Sequence, residues 1–234
     1  RDGFSFLLLD DAPIGTVISF VDQELQGGAN NFGGTTGESE LIWQNNTSAT
    51  IVKGTVIDVF DDTDNVWKAT SGTLTENNNV QFGNINYGNF TTGTTDQVYA
   101  LIGPLTATQT PRSNPTTFLA FIGNNSPIPS TLTEGSTALT ISGEGYYTGT
   151  TVFNGTITNV SSSINTLGNW TLGAFTFPAS VPNTFTGSAF VDNTAPVIGG
   201  TVANQGVIDT NTIAPFSSIT ITDNTLLGSD ATVK

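Results

Sequence analysis

The sequence predicts an all-β fold, a β-sandwich or a close relative of one, and three observations lead to this prediction. Short segments rich in β-branched and aromatic residues recur along the chain, and Gly, Asn, Asp or Pro bounds each of them. Their near-regular spacing, with polar turns between them, is typical of sandwich folds. Lys and Arg together number only 5 and Glu is scarce, which leaves few segments with the composition of a helix.

The predicted strands can be followed in chain order. The first two, Phe4–Leu9 and Val17–Val21, flank the turn residues of DDAPIG, so we expect them to form a hairpin. The others are predicted at Ser39–Trp43, Thr55–Phe60, Val98–Ile102, Thr117–Ile122, Ser136–Ser142, Tyr146–Phe153, Gly168–Phe177 and Phe185–Val191.

At most one short helix is expected, near 159–167. In this stretch Val160, Ile164 and Leu167 fall on one helical face. In the preceding strand Tyr146 and Tyr147 are adjacent, so their side chains must point to opposite faces and at most one of them can be a core residue.

The composition excludes several function classes. The 234 residues include no Cys, His or Met, so a Ser-His-Asp triad, a Cys-His pair, a disulfide and an ordinary structural zinc site are excluded. The net charge of −14 argues against nucleic-acid binding, because phosphate backbones would be repelled. No apolar stretch is long enough to predict a membrane span. With 36% hydrophobic residues, the chain can still build a sizeable core.

The composition changes after Val191, which suggests two regions. Residues 1–191 read as one β-sandwich module, and residues 192–234 read as a Pro-containing linker plus a C-terminal strand segment. In that segment Ser217–Asp223 alternates Ile with Thr and Ser, as a half-buried strand does. The segment would either complete the first domain, start a second β domain, or pair with another subunit.

Two stretches of sequence resemble known bacterial surface modules. The stretch DGFSFLLLDDAPIGTVISFVDQEL, followed by GESELIW and IVKGTVIDVF, resembles a secreted module of cell-surface and exoenzyme-associated proteins, whose pattern is DxFSFVLL, TxIxFTDxxW and GEGxLxW. This resemblance covers roughly residues 1–177. The stretch TAPVIGGTVANQGVIDTNTIAPFSSITITDN is similar to the first strands of cadherin-like or immunoglobulin-like adhesin repeats.

The two resemblances imply specific properties. Members of the first module usually open with a strand that pairs beside the DxFSF segment. Residues 1–191 are therefore expected to be a module that lacks its first strand, cut from a longer secreted precursor. The adhesin repeats often bind calcium between modules, so the second resemblance makes Ca²⁺ a candidate ligand.

Acidic residues suggest two candidate Ca²⁺ sites. Carboxylates at nearly alternate positions in DVFDDTDN can converge on a hard cation that takes six to eight oxygens, and the candidates there are Asp58, Asp61, Asp62 and Asp64. Asp22 and Glu38 form the second candidate, if their strands are neighbours. The alternative is that these are solvated turn and loop carboxylates, since the EF-hand Gly and terminal Glu are both missing.

No set of residues suggests catalysis. Asp22 with Glu38 could be placed as a glycosidase pair, but no motif supports that assignment. We therefore expect no enzyme and no organic cofactor. Trp67, in the polar setting DNVWKA, is the best candidate for stacking on a sugar, whereas Trp43 and Trp170 are expected in the core. The Asn-x-Ser/Thr sequons, which begin at Asn45, are expected to matter only where they lie in exposed loops.

These observations favour a secreted structural or adhesive protein of the cell surface. Such a chain would associate with itself or with neighbouring modules as a filament or coat subunit, and we expect the subunits to join by strand addition. The alternative is a carbohydrate-binding accessory module of a secreted hydrolase, with a polysaccharide as its partner.

Overall fold

The computed structural model describes residues 3–22, 25, 32, 40–61, 66–77, 97–103, 117–124, 127–173, 184–191, 197–199, 219–222 and 231–233. It divides into two units, Arg1–Phe190 and Val191–Lys234. The described residues are mostly strands, with one short α-helix, which confirms the predicted all-β, sandwich-like fold. Among them, no helix is both long and apolar enough to cross a bilayer.

Eleven strands of the first unit lie in the described part of the chain. They are β1 Gly3–Leu7, β2 Val17–Val21, β3 Glu40–Gln44, β4 Val56–Asp61, β5 Trp67–Ala69, β6 Thr73–Asn77, β7 Gln97–Ile102, β8 Phe118–Gly123, β9 Ala138–Thr140, β10 Gly145–Tyr147 and β11 Trp170–Leu172. The helix α1 spans Ile157–Ile164, and two 3₁₀ turns span Leu167–Asn169 and Ser188–Phe190.

Two unequal sheets form the sandwich. The larger has six strands in the order β6-β3-β2-β7-β8-β9, antiparallel except for the parallel β8–β9 pair. The smaller has three strands in the order β1-β4-β5. A separate two-stranded ribbon joins β10 to β11.

The predicted hairpin between the first two strands is wrong, because β1 and β2 lie in different sheets. β1 pairs with β4 in the small sheet, whereas β2 pairs with β3 and β7 in the large one. The connecting DDAPIG segment turns a corner, helped by Gly15 at φ 89°. Local turn residues predict a change of direction, but the strand partners are decided by which apolar faces the chain can bury.

An antiparallel ribbon with one irregularity follows this corner. Residues 45–55 accompany residues 8–16 from one sheet to the other, through backbone hydrogen bonds such as Asn45 N to Thr16 O at 2.9 Å and Ile51 N to Ala12 O at 3.0 Å. The bond from Leu8 N to the Thr55 carbonyl, at 3.0 Å, then leads into the β1–β4 pair. Two paired segments of the chain, and not a single segment, therefore connect the two sheets.

Asn45 holds the corner together from inside. Its side chain is fully buried, and its amide Nδ2 donates to the carbonyls of Ala12 at 2.7 Å and Ala49 at 3.1 Å. Its Oδ1 accepts from the backbone N and the hydroxyl of Thr47. One side chain thus satisfies polar groups on both chains of the ribbon.

The core between the two sheets is built from alternate strand residues. Leu41 and Trp43 of the large sheet meet Ile57 and Val59 of the small sheet, and all four are buried. The Phe20 ring lies 4.8 Å from the Phe4 ring and 4.9 Å from the Phe6 ring, measured between centroids; all three belong to this core. Its burial supplies most of the driving force for closing the sandwich.

Two further clusters make the first unit thicker than two layers. On the outer face of the large sheet, Val21, Tyr99 and Leu101 pack with Leu25 and Phe32. On the outer face of the small sheet, Leu7 and Val56 pack against a third cluster, which contains Tyr147, Phe153, Val160 and Phe185. The small sheet is therefore covered on both of its faces.

The helix forms where the sequence predicts one, with shifted ends. It begins two residues earlier than predicted and ends at Ile164, so Leu167 lies in a 3₁₀ turn and is 46% exposed. Val160 is fully buried, as its place on the apolar face predicts. Tyr147 is buried and Tyr146 is half-buried, which confirms that at most one of the pair is a core residue.

The second unit contains a three-stranded antiparallel sheet in its described residues. The strands are β12 Val197–Gly199, β13 Ile219–Thr222 and β14 Ala231–Val233, in that order across the sheet. β13 lies within the segment that was expected to start a second domain or to pair with another subunit. It is the central strand of this sheet and is hydrogen-bonded to β12 on one side and to β14 on the other.

Candidate functional site

Asp58, the first candidate calcium ligand, lies on a strand. It is 4% exposed on β4, and its Oδ1 accepts a 2.7 Å hydrogen bond from the Ser5 hydroxyl, directly across the β1–β4 pair. Burial raises the pKa of the Asp58 carboxyl above its ordinary value, and the Ser5 bond opposes that rise. This carboxylate is therefore not the solvated turn residue of the alternative interpretation.

The structure does not bring Asp58 and Asp61 together. Both lie on β4, three positions apart, so their side chains point to opposite faces of the small sheet. One carboxylate oxygen of Asp61 is buried and has no hydrogen-bond partner in the described structure. Asp62, Asp64 and Glu38 lie outside the described residues. Within the described ranges, no group of three or more acidic side chains is placed to hold a metal ion.

Asp22, of the second candidate pair, is also buried, at 2% exposure. Its backbone carbonyl accepts a hydrogen bond of 2.5 Å from the Gln97 side chain, which ties the end of β2 to the start of β7. Glu40, two residues after Glu38, is fully buried at the start of β3, opposite Val21. Both acidic residues thus lie in the packed interior at this end of the large sheet.

The aromatic and sequon residues divide between core and surface. Trp67, the sugar-stacking candidate, lies on β5 and is half-buried against the core between the sheets. Trp43 is fully buried and donates to the Ser71 carbonyl at 2.7 Å, as its predicted core position requires. The sequon at Asn45 is buried and bonded, so it does not lie in an exposed loop, whereas Asn154 and Asn159 are exposed.

One concave feature of the described residues is an apolar groove along β1. Its volume is about 220 Å³. Four successive residues of β1, Phe4 to Leu7, line the groove together with Leu9. The neighbouring strand β4 contributes only Val56 among the described lining residues.

This lining places the groove along β1. Phe4, Ser5, Phe6 and Leu7 all contact it. β4 lies on the other side of β1, which is the end strand in the described order β1-β4-β5.

In the described residues the small sheet has three strands and the large one has six. The core between them includes Phe20, Leu41 and Trp43, and it extends to Val98, Ala100 and Ile122 of β7 and β8. These last three side chains also line the groove. A strand beside β1 would complete the coverage, since neighbouring strands lie about 4.8 Å apart.

The opposite wall comes from the third cluster. Tyr147 of β10, Ile164 of α1 and Trp170 of β11 face the groove. Trp170 is held there by a 2.8 Å hydrogen bond from its Nε1 to the Ile164 carbonyl. None of the described residues that line the groove carries a charge.

Sequence reasoning expected an open edge beside the first strand but did not identify its lining. It assigned Trp170 to core packing, and the segments that form the two walls lie far apart in the chain. Alternating apolar residues in β7 and β8 were the available signal, although they do not show which strand covers them. No protein-family model, curated protein or solved structure matches this chain.

Proposed function

We propose that this protein is a structural subunit of an extracellular surface assembly, and that its subunits join by strand addition beside β1. One observation carries the proposal: β1 is the end strand of the described small sheet, and an apolar groove borders it. A strand that enters the groove would gain backbone hydrogen bonds and bury apolar surface in the same step.

The backbone of β1 supports this role. Leu8 directs its N–H and C=O toward the β4 side, where they bond with Thr55 and Gly54. Backbone groups alternate in direction along an antiparallel strand, so those of Ser5 and Leu7 point away from β4, toward the open side. Such an edge pairs readily with another chain unless charges, Pro or bulges block it.

The composition supports a structural rather than a catalytic role. Charged residues make up 10% of the chain, and the chain has no Cys or His. The similarity to secreted surface modules and adhesin repeats agrees with a location at the cell surface.

Matched Leu→Lys variants test the proposal. Leu119 lines the groove and is 38% exposed, whereas Leu172 of β11 is 48% exposed and is not among the groove-lining residues. A lysine ammonium group in the apolar groove would lose its hydration when a strand covers it, so Leu119→Lys should reduce assembly and Leu172→Lys should not. Sedimentation velocity and electron microscopy of the full chain measure the outcome. A wild-type chain that stays monomeric at all concentrations, or equal assembly of both variants, would refute strand addition here.

A further inference from the structure

We propose that Asn154 is a site of spontaneous chemical modification, at which its side-chain amide converts to aspartate and isoaspartate through a cyclic imide formed with the backbone nitrogen of Gly155. This inference is independent of the proposed assembly and concerns the covalent chemistry of the chain itself. The reaction needs an Asn whose amide is not held, a following residue without a Cβ, and access to water.

The dipeptide Asn154-Gly155 occurs once in the sequence. The chain contains 26 Gly residues, and only Gly155 follows an Asn. A Cβ on the residue after an Asn hinders the approach of its backbone nitrogen to the side-chain carbonyl carbon, and glycine has no Cβ. Among the Asn residues of this chain, which belong to the thermolabile residue types, Asn154 therefore has the least hindered route to the imide.

The structure leaves both reacting groups accessible. Asn154 and Gly155 are exposed, in the short segment between the buried Phe153 and the start of α1. Within the part of the chain that the structure describes, no hydrogen bond holds the Asn154 amide or the Gly155 N–H. Water can therefore reach the amide, and the attacking nitrogen does not have to leave a partner.

Two Asn residues of the same region are held more firmly. The Oδ1 atom of Asn159 accepts a hydrogen bond from the Thr156 hydroxyl, and the residue that follows is the β-branched Val160 of α1. The Nδ2 atom of Asn169 donates to the Ser163 carbonyl at 2.8 Å. Both are therefore expected to react more slowly than Asn154.

The reaction exchanges bonds without an oxidant or a reductant. The Gly155 nitrogen attacks the Cγ atom of Asn154 and forms a new C–N bond, while the Cγ–Nδ2 bond breaks. The proton of the Gly155 nitrogen passes through water to the departing amide nitrogen, which leaves as ammonia. Water then opens the imide: addition at Cγ breaks the new bond and gives aspartate, whereas addition at the main-chain carbonyl carbon breaks the original peptide bond and gives isoaspartate.

Only isoaspartate changes the path of the chain, because it inserts one extra carbon into the backbone between two fixed points. On one side, Phe153 is buried in the third cluster and its N–H donates to the Thr186 carbonyl at 2.8 Å. On the other side, the Thr156 carbonyl accepts from the Asn159 N–H at 3.0 Å as α1 begins. The extra carbon must therefore displace Phe153 or α1.

Aspartate keeps the original spacing. It places a carboxylate just before α1, whose first turn contains no acidic residue. The helix dipole favours a negative charge at that end. Aspartate at position 154 is therefore expected not to destabilise the first unit.

Peptide mapping by mass spectrometry tests the proposal on the full chain, incubated at physiological pH and temperature. Electron-transfer fragmentation distinguishes isoaspartate from aspartate. We expect Asn154 to convert at least roughly tenfold faster than Asn46, which is also exposed but precedes Thr47. Gly155→Ala should remove this difference. The substitution fits, because a Cβ at Gly155 would meet only the Asn159 side chain, at 3.6 Å.

Two results would overturn the proposal. One is an Asn154 that stays unmodified in the native chain while the urea-unfolded chain converts there, since the fold would then protect the site. The other is equal conversion in the wild type and in Gly155→Ala, since the missing Cβ would then have no effect.

Urea unfolding tests the expected consequence. The isolated isoaspartate form should unfold at a lower urea concentration than the wild type, whereas Asn154→Asp, which carries the charge without the extra carbon, should not. Equal midpoints for the isoaspartate form and Asn154→Asp would refute the displacement of Phe153 or α1.

Discussion

Replacing Asn45 with Ala should destabilise the corner where the paired ribbon passes between the sheets. The change removes the amide donor to the carbonyls of Ala12 and Ala49, and the acceptor for the Thr47 backbone N–H. Ala12 is 2% exposed, so water cannot simply replace the lost donor there. Its carbonyl does keep the bond from the Ile51 N–H, at 3.0 Å.

The expected loss follows from these contacts. A typical intramolecular hydrogen bond contributes about 1 kcal/mol net, and a buried group left unsatisfied costs about 1–3 kcal/mol. The two amide bonds therefore account for about 2 kcal/mol, and partial loss at Thr47 brings the total to roughly 2–3 kcal/mol. For a chain of this size, that corresponds to a lowering of the unfolding midpoint by roughly 4–12 °C.

Urea and thermal unfolding of three proteins measure the effect: the wild type, Asn45→Ala and Asn46→Ala. Asn46 is the adjacent residue, is exposed, and is the matched control. Its replacement should change the free energy of unfolding by less than roughly 0.5 kcal/mol. Equal losses for the two variants, or no loss for Asn45→Ala, would show that the buried amide does not hold the corner.

Three further predictions follow from the acidic residues. Burial raises the folded-state pKa of Asp58 above its ordinary value of 3.8. The stability that this group contributes is therefore fully present below that value and is lost as pH rises through the folded pKa. Asp58→Asn should gain stability relative to the wild type from acid to neutral pH, and a pH-independent difference in urea midpoints would contradict this. The calcium site remains a prediction: chelator should lower the unfolding midpoint of the full chain, and an unchanged midpoint rejects it. We also expect no hydrolysis of common polysaccharides, and turnover abolished by Asp22→Asn would show the opposite.

The sequence predicts the elements of this fold better than their partners. The strands at Val17–Val21 and Gln97–Ile102 follow from β-branched and aromatic runs between turn residues, which are local signals. The pairing of β1 with β4 depends on apolar faces some fifty residues apart, and turn chemistry in DDAPIG carries no information about it. The same limit applies to Asn45. The sequence around it matches a sequon of the kind found in exposed loops, but its side chain is buried.

The candidate site shows this limit most clearly. An alternating pattern identifies Val98 and Ala100 as residues of a packed strand, but the pattern is the same whether the second sheet covers them or stops short. The groove is lined by residues of both sheets and of the third cluster, which are distant in sequence, so its position is a property of the whole topology. Asp58 and Asp61 show the same limit, because β4 continues to Asp61 and directs two carboxylates that are close in sequence to opposite faces.

The paired ribbon at the corner also determines how the protein can fold. Backbone bonds join Ala12 to Ile51 on one side of the corner and Thr16 to Asn45 on the other. The registers of the β1–β4 and β2–β3 pairs are therefore linked, with an offset of two residues between them. A slip of one residue in either pair would turn the apolar side chains of both sheets outward at once. The two layers therefore cannot acquire their registers independently. Pairing of the two segments of this ribbon brings together residues that are distant in sequence. We therefore expect this pairing to be a slow step that limits the rate of folding.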